Sequence, residues 1–415
     1  MPTNGTTNAF ELSMPGQEVR RWLSRAIALV YGLVMFEVVI MASPFAFYFY
    51  AAYGPTLKWL NHSAATAWLT GFVLPHAVFT TSAFLEFLRW GLGPYAFRWG
   101  LMAFFILAVQ IYGSKLVGRK TVSSGVYRYV RHPQYLCLEA SAFGLFTKWP
   151  RMTIFLLWVG MLFAYYFLAR IEERRLLTID QSYAGYMRRT GMFLPGNPGG
   201  RLYSRALGGL PDQKLARGMA LAILLILVLL GACFLRAYTV NHISRAAVLP
   251  DLEVVSVYPM TPAHMRELMS LALSDPSVQQ ALRQEGDATF VAHVLPRDYG
   301  MVGMFADVGT QMLDAGTHER IPFSRLKYMG RWLVPFLNSQ VRTGIMGSDG
   351  NEYHIVFSRV DRPNGRPVSL AHLFDLSAKM TPVYIADISG VTQQVRRTID
   401  PPRRSYWGDI KMPIF

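Results

Sequence analysis

Apolar residues fall in long unbroken runs over the first 236 residues and in short alternating stretches afterwards. The runs lie near 26–53, 64–88, 97–117, 135–149, 152–171 and 215–235, and a helix needs roughly 20 apolar residues to cross a bilayer. The fourth is short, about 22 Å as a helix, so it spans only with help from its neighbours. Trp59, Trp90, Tyr95, Trp149 and Tyr238 stand at run ends, as interfacial aromatic residues do. After residue 238 the pattern changes. Thr261-Pro262 opens a helix with a Thr cap and Pro in first position, and Asp275-Pro276 opens a second. Residues 288–295 and 352–360 alternate like half-buried strands, with Asp349-Gly350 as a hairpin turn before the latter. Residues from Pro401 on read as irregular. The pattern predicts an all-α integral membrane helical bundle of five to six transmembrane helices, followed by a C-terminal soluble α+β domain. The division expected is an interfacial polar segment (1–25), a transmembrane core (26–200), a connector with the last transmembrane helix (201–237) and the soluble domain (238–415).

Composition supports a membrane chain: 52% of residues are hydrophobic and 16% charged, an apolar balance for a soluble protein. The net charge of +15 locates the surplus. Residues 1–237 hold 23 of the 41 Lys and Arg but 9 of the 26 Asp and Glu, which leaves 18 against 17 for residues 238–415. The excess therefore flanks membrane segments, and the nearly neutral tail lacks the basic face that nucleic-acid binding requires. Cys137 and Cys233 both lie in apolar runs, so neither a disulfide framework nor a cysteine zinc site is available. The run at 26–53 is too long for a signal-peptide core and reads as a retained anchor.

Loop charge sets an expected orientation. Residues 114–134 hold Lys115, Arg119, Lys120, Arg128 and Arg131 without an acid, and residues 170–217 hold nine Arg and Lys. Both loops are expected in the cytoplasm, with residues 238–415 on the exoplasmic side. Counting three runs upstream then puts the N-terminus outside, against the bias of Arg20, Arg21 and Arg25; either residues 12–25 lie on the surface or one run is miscounted.

Chemistry is expected where two helix ends meet. The stretch Ser124-Gly-Val-Tyr127 through Arg131-His-Pro-Gln-Tyr135 opens the fourth run, and Glu172-Glu173 closes the fifth. The turn between the two runs, Lys148-Trp-Pro-Arg151, is short, so an antiparallel pair brings the start of one beside the end of the other. Pro133 suits a first helical turn. It leaves a positive helix end beside Arg131 and His132, a natural seat for an anionic group, ringed by Tyr127, Tyr129 and Tyr135. Two carboxylates at a helix C-terminus oppose the macrodipole and invite a functional explanation. They could hold an amino group, ribose hydroxyls or a sulfonium. Glu37, Glu86, Glu139 and His76 are further polar residues in or beside apolar runs. Glu139 stands one turn above Tyr135, and His76 is expected to satisfy a broken-helix carbonyl. The histidines of the tail (His264, His293, His318, His354, His372) show no metal spacing, and no metal is expected.

These residues, with Tyr183-Ala-Gly-Tyr186-Met-Arg-Arg189 and Leu194-Pro-Gly196, resemble the isoprenylcysteine carboxyl methyltransferase family and its phospholipid methyltransferase-like relatives. The resemblance covers roughly residues 97–200. It implies an S-adenosyl-L-methionine site at the cytoplasmic membrane face, without a Rossmann domain, and a lipidic or prenylated acceptor that enters from the bilayer. By that resemblance Thr121, Val122, Tyr127, Arg131, His132, Pro133, Gln134, Tyr135, Glu172 and Glu173 hold the cofactor, and Arg170 and Glu173 serve the acceptor and the transfer. The chain departs from the family at Gln181-Ser182 and at Leu136-Cys137-Leu138-Glu139. Methyl transfer is an in-line displacement from an activated donor, so orientation supplies most of the acceleration. A carboxylate acceptor needs no base, whereas an amine must arrive neutral. The competing readings are an NADPH-dependent membrane reductase of sterol-reductase type, which also carries Arg-His-Pro-x-Tyr but differs where this chain has Glu-Glu-Arg-Arg, and a membrane-anchored binding protein with a degenerate core. The soluble domain is open to a protein partner or to presenting a substrate.

Overall fold

A computed structural model describes residues 54–116, 123–297 and 351–401, apart from 64, 77, 363, 364, 367 and 377. All lie in one compact unit, Tyr48–Phe415. A helical part comes first: α1 (Gly54–Asn61), α2 (Gly93–Leu116), α3 (Pro133–Lys148), α4 (Met152–Ile179), α5 (Tyr183–Arg189), α6 (Pro198–Leu207) and α7 (Gln213–Val240). A short turn Ala83–Glu86 and a π-helical turn Phe87–Leu92 lead into α2. Among the described residues three helices are long and apolar enough to cross a membrane: Ala83–Ser114, Met152–Ile179 and Gln213–Val240. The expected count of five to six is therefore not reached in them. The run at 26–53 lies outside the described residues, and α3, at 16 residues, is about 24 Å long, shorter than a hydrocarbon core.

The run at 64–88 is the correction. It forms a 3-10 turn, Ala67–Thr70, then a non-helical strap through residues 71–82. Pro75 and Gly71 explain the break, because proline removes a helical donor and glycine weakens a helix. A buried extended segment must satisfy its carbonyls elsewhere; the Gly71 carbonyl accepts from Met152 N–H at 2.8 Å, and arginines from three separate elements brace the strap and the turn before it. Arg89 donates to the carbonyls of Val78 and His76, both at 2.5 Å. Arg151 donates to Thr70 at 2.5 Å and covers the Phe72 ring. Arg236 of α7 bonds the carbonyls of Phe72 and Phe374. His76 faces the Lys148 carbonyl at the end of α3, where its expected partner lies. Neither ring nitrogen makes an aligned hydrogen bond among the described residues, and the imidazole is stacked on Phe72 and Trp149. Burial and the nearby Arg151 and Arg89 push its pKa down to about 3, so it stays neutral.

Helices α2 and α3 touch backbone to backbone. A Cβ at Gly144 would lie 2.6 Å from the Gly93 carbonyl, and one at Gly100 would lie 2.6 Å from Ser141 Oγ and 2.7 Å from the Cys137 carbonyl. Ser141 donates across the contact to the Phe97 carbonyl at 3.2 Å. Small residues plus one hydrogen bond are the usual means of joining helices where no hydrophobic effect acts.

The C-terminal part is a six-stranded sheet in sequential order: β1 (Ser244–Leu249), β2 (Leu252–Ser256), β3 (Thr289–Pro296), β4 (Glu352–Asp361), β5 (Lys379–Ser389) and β6 (Gln394–Ile399). Helices α8 (Pro262–Ser274) and α9 (Pro276–Gln284) cross between the parallel pair β2 and β3; the other pairs are antiparallel. The expected caps are present: Thr261 accepts from His264 N–H, and Asp275 from Ser277 and Val278 N–H. Strands β3 and β4 are buried on both faces, not half-buried. One face packs on α8 and α9. The other packs on the strap through Val78 and on Leu373 and Phe374, with the Phe79 and Thr81 N–H groups bonded to the carbonyls of Val257 and His242. The Asp349-Gly350 turn, His318 and residues beyond 401 lie outside the described residues. Among the tail histidines that are described, His354 pairs with Asp387 at 2.6 Å and His293 is buried in the sheet.

Substituting Gly144→Ala is expected to drive a methyl group into the α2 backbone and to cost about 1–3 kcal/mol, lowering the detergent melting temperature by several degrees. Gly160→Ala, where nothing lies within 4 Å, should leave it unchanged or raised.

Candidate active site

The site lies where α3 begins and α4 ends. Helix α3 runs away from it toward the turn at Trp149, Pro150 and Arg151, which bonds the strap (Val73 N–H to the Pro150 carbonyl, 2.7 Å). Helix α4 returns, and the end of α7 bonds the strap through Tyr238 and Arg236. The strap in turn packs on the sheet through Val78 and the Phe79 N–H, so site and sheet lie toward opposite ends of the helices.

A loop crossing holds the entry to α3. Val130 and Gly191 form a parallel bridge; Arg131 and His132 N–H donate to the carbonyls of Gly191 and Met192 at 2.9 and 3.0 Å, and Gly191 N–H donates to Tyr129 at 3.1 Å. Only glycine fits at 191, because a Cβ there would collide with the Leu194 carbonyl. Tyr186 of α5 donates to the Tyr127 carbonyl, and Tyr127 OH donates to Gln134 Oε1 at 3.3 Å.

The two glutamates divide the work, because adjacent residues on a helix point about 100° apart. Glu173 continues the buried stripe Tyr165, Ala169 of α4. Its side chain is 3% exposed and accepts from Arg131 Nε at 2.6 Å. Arg131 also donates to the carbonyls of Met187 and Thr190 and to Thr190 Oγ1, so its guanidinium ties together α3, α4 and the end of α5. The sequence reading put Arg131 beside an open anion seat; instead it faces inward onto Glu173. Glu172 has a side chain 44% exposed, accepts from Tyr135 OH at 3.0 Å and lies 3.2 Å from His132 Nδ1. His132 Nε2 is 3.5 Å from Glu173 Oε1, and neither ring nitrogen makes an aligned hydrogen bond among the described residues. The His132 and Tyr135 rings stack, and Tyr135 stacks on Tyr165 at 4.9 Å.

The structure thus brings together Tyr127, Arg131, His132, Pro133, Gln134, Tyr135, Glu172 and Glu173. Arg170 is half-buried on α4, one turn before Glu173, and makes no polar contact among the described residues. Thr121 and Val122 lie outside the described residues. Thr190, Met192 and Phe193 join the cluster without having been singled out; the loop after Tyr186 was legible only as part of the wider motif. No group of His, Cys, Asp or Glu suited to a metal occurs among the described residues.

Residues 93–181 match the family model described as phospholipid methyltransferase, part of the isoprenylcysteine carboxyl methyltransferase-like group of membrane methyltransferases. The match spans about a fifth of the chain and includes the start of α3, all of α4 and both glutamates. It supports a membrane methyltransferase. No curated protein and no solved structure matches the chain.

Burial alone would lower the His132 pKa, but the carboxylates of Glu172 and Glu173 more than offset it and hold the ring above its ordinary value. The protonated ring therefore stabilises the fold fully below about pH 6.5, and that contribution is lost as pH rises through the elevated value. A melting temperature that declines from pH 6 to 9 in the wild type and declines less in His132→Gln is the expected result. Arg131→Ala, which strands Glu173, should cost about 3–5 kcal/mol, read as a fall in the detergent melting temperature.

Proposed function

We propose that the chain is an S-adenosyl-L-methionine-dependent membrane methyltransferase acting on a lipidic or prenylated acceptor. One observation carries the reading. Glu172 is gripped from behind by Tyr135 and His132 and remains open on its other side, while Glu173 beside it is buried and paired with Arg131. An open carboxylate that only accepts hydrogen bonds suits the amino group or ribose hydroxyls of such a cofactor. The positive end of α3 suits its carboxylate. When bound, the cofactor supplies an activated methyl group, so the residues need only bind and orient.

Arg131 and Glu173 act as positioning residues, fixing the end of α4 against the start of α3. Tyr127, braced by Tyr186, holds Gln134 at the first turn. Burial keeps the Tyr127 and Tyr183 hydroxyls protonated well past neutrality, so they act as donors. Arg170, at the same end of α4, would guide the acceptor, which reaches the site laterally from the bilayer.

Loop charge favours a cytoplasmic site, with the sheet on the exoplasmic side because it contacts the opposite helix ends. Reading 64–88 as a strap also removes the conflict at the N-terminus. With the run at 26–53 taken from sequence as a crossing, Arg20, Arg21 and Arg25 fall on the cytoplasmic side with the other basic loops.

Calorimetric titration of purified protein with S-adenosylhomocysteine tests the cofactor site. Losing a hydrogen bond to a charged group costs about 1.5–3 kcal/mol, so Glu172→Gln and His132→Ala should each weaken binding about tenfold or more, with Arg174→Ala unchanged as control. Wild-type affinity in both variants would overturn the site.

A further inference from the structure

Two glutamates are buried between α3 and α4, and they are treated in opposite ways. Glu173 has Arg131 and His132 against it. Glu139 has a relative exposure of 9%, and neither of its carboxyl oxygens has a hydrogen-bond partner among the described residues. Trp158 approaches it without the alignment of a hydrogen bond, and its indole nitrogen is likewise unpaired. The remaining surroundings are aromatic: Phe143 and Phe146 pack on Trp158, and Tyr165 lies within electrostatic reach of the carboxyl. A carboxyl so placed in an apolar helix pair is costly and marks a functional position.

Its location connects it to the site. Glu139 lies one turn along α3 from Tyr135, about 6 Å deeper along the axis, on the side that faces α4. Tyr135 OH holds Glu172, and the Tyr135 ring lies on Tyr165. Tyr135 thus stands between the open carboxylate of Glu172, matched to a cofactor, and Glu139 one helical turn deeper.

We infer that Glu139 is the proton acceptor of the transfer, and that the methyl acceptor is a nucleophile carrying a proton on its reacting atom, an amine or a thiol, rather than a carboxylate. This rests on the methyl-transfer reading above. A carboxylate acceptor would meet a like charge in an apolar surround and would need no base. A neutral amine or thiol brings the hydrogen-bond donor that Glu139 lacks. The acceptor's nitrogen or sulfur forms its bond to the methyl carbon and loses its proton to the Glu139 carboxylate. The electron pair of the broken carbon–sulfur bond stays on the cofactor's sulfur, so a sulfonium and a carboxylate become a thioether and a carboxylic acid.

Wild type and Glu139→Gln, purified in detergent, are compared with three probes of equal chain length: hexadecylamine, hexadecanethiol and hexadecanoate. Binding of S-adenosylhomocysteine should be the same in both proteins. The amine or thiol should raise the melting temperature of the wild type and not of the variant. Transfer of labelled methyl to that probe should fall about a hundredfold or more, as expected for loss of a general base. The wild-type rate should also rise with pH to a plateau that the variant lacks. Equal transfer by Glu139→Gln, transfer to hexadecanoate alone, or no thermal response of the wild type to amine or thiol would each overturn the role of Glu139. A wild type that does not bind S-adenosylhomocysteine would instead sink the methyltransferase reading. Should Glu139→Gln fail to bind S-adenosylhomocysteine for want of folding, Glu139→Asp, which withdraws the carboxyl by one carbon, must show the rate loss with that binding intact.

Discussion

A guanidinium and a carboxylate, both buried, hold the beginning of one helix against the end of the next, and the rest of the helical architecture is arranged to make that possible. Arg131 bonds Glu173 at 2.6 Å and the last carbonyls of α5. A buried charge pair is stable only when every donor and acceptor is used, and here the guanidinium spans three elements. This saturation frees Glu172. Because the fastening is done by one member of the acidic pair, the other can turn outward with Tyr135 and His132 behind it. Tight packing of α2 on α3 through Gly93, Gly100 and Gly144 supplies the rigid wall against which this corner is built.

The opposite end of the helices is held by a different device with the same logic. The strap at 71–82 has no helical partners for its carbonyls; Arg89 and Arg236 provide them, and Arg151 bonds Thr70 just before it. Each arginine comes from a separate element, so the strap registers three helices against one another and presents Val78 to the sheet. The helix ends at the site and those at the sheet are thereby linked through rigid rods.

Much of the site was legible because its residues mark helix boundaries. Pro133 signals a start, Glu172-Glu173 an unusual finish, and the short turn at Pro150 forces the two together. Which glutamate faces inward depends on the rotation of α4 about its axis, which the Tyr165, Ala169, Glu173 stripe reveals once the partner helix is known. The strap was misread because its apolar density resembles a membrane run; Gly71, Pro75 and the three arginines were the contrary signals. Strands β3 and β4 look alternating in sequence yet are buried on both sides, because their second cover combines Val78 of the strap with Leu373 and Phe374 of the connection between β4 and β5. No local pattern carries such a contact. Strands β1, β2, β5 and β6 escaped notice for the related reason that their pairing is settled by neighbours in the sheet.

That distant cover has a consequence for biogenesis. One hydrophobic side of the sheet is closed partly by its own connection around Leu373 and Phe374 and partly by Val78 of the strap, far earlier in the chain. The sheet therefore completes that side only once the strap has docked, and severing it from the helical part leaves the seat of Val78 bare. A fully closed sheet core thus reports that the strap is in place.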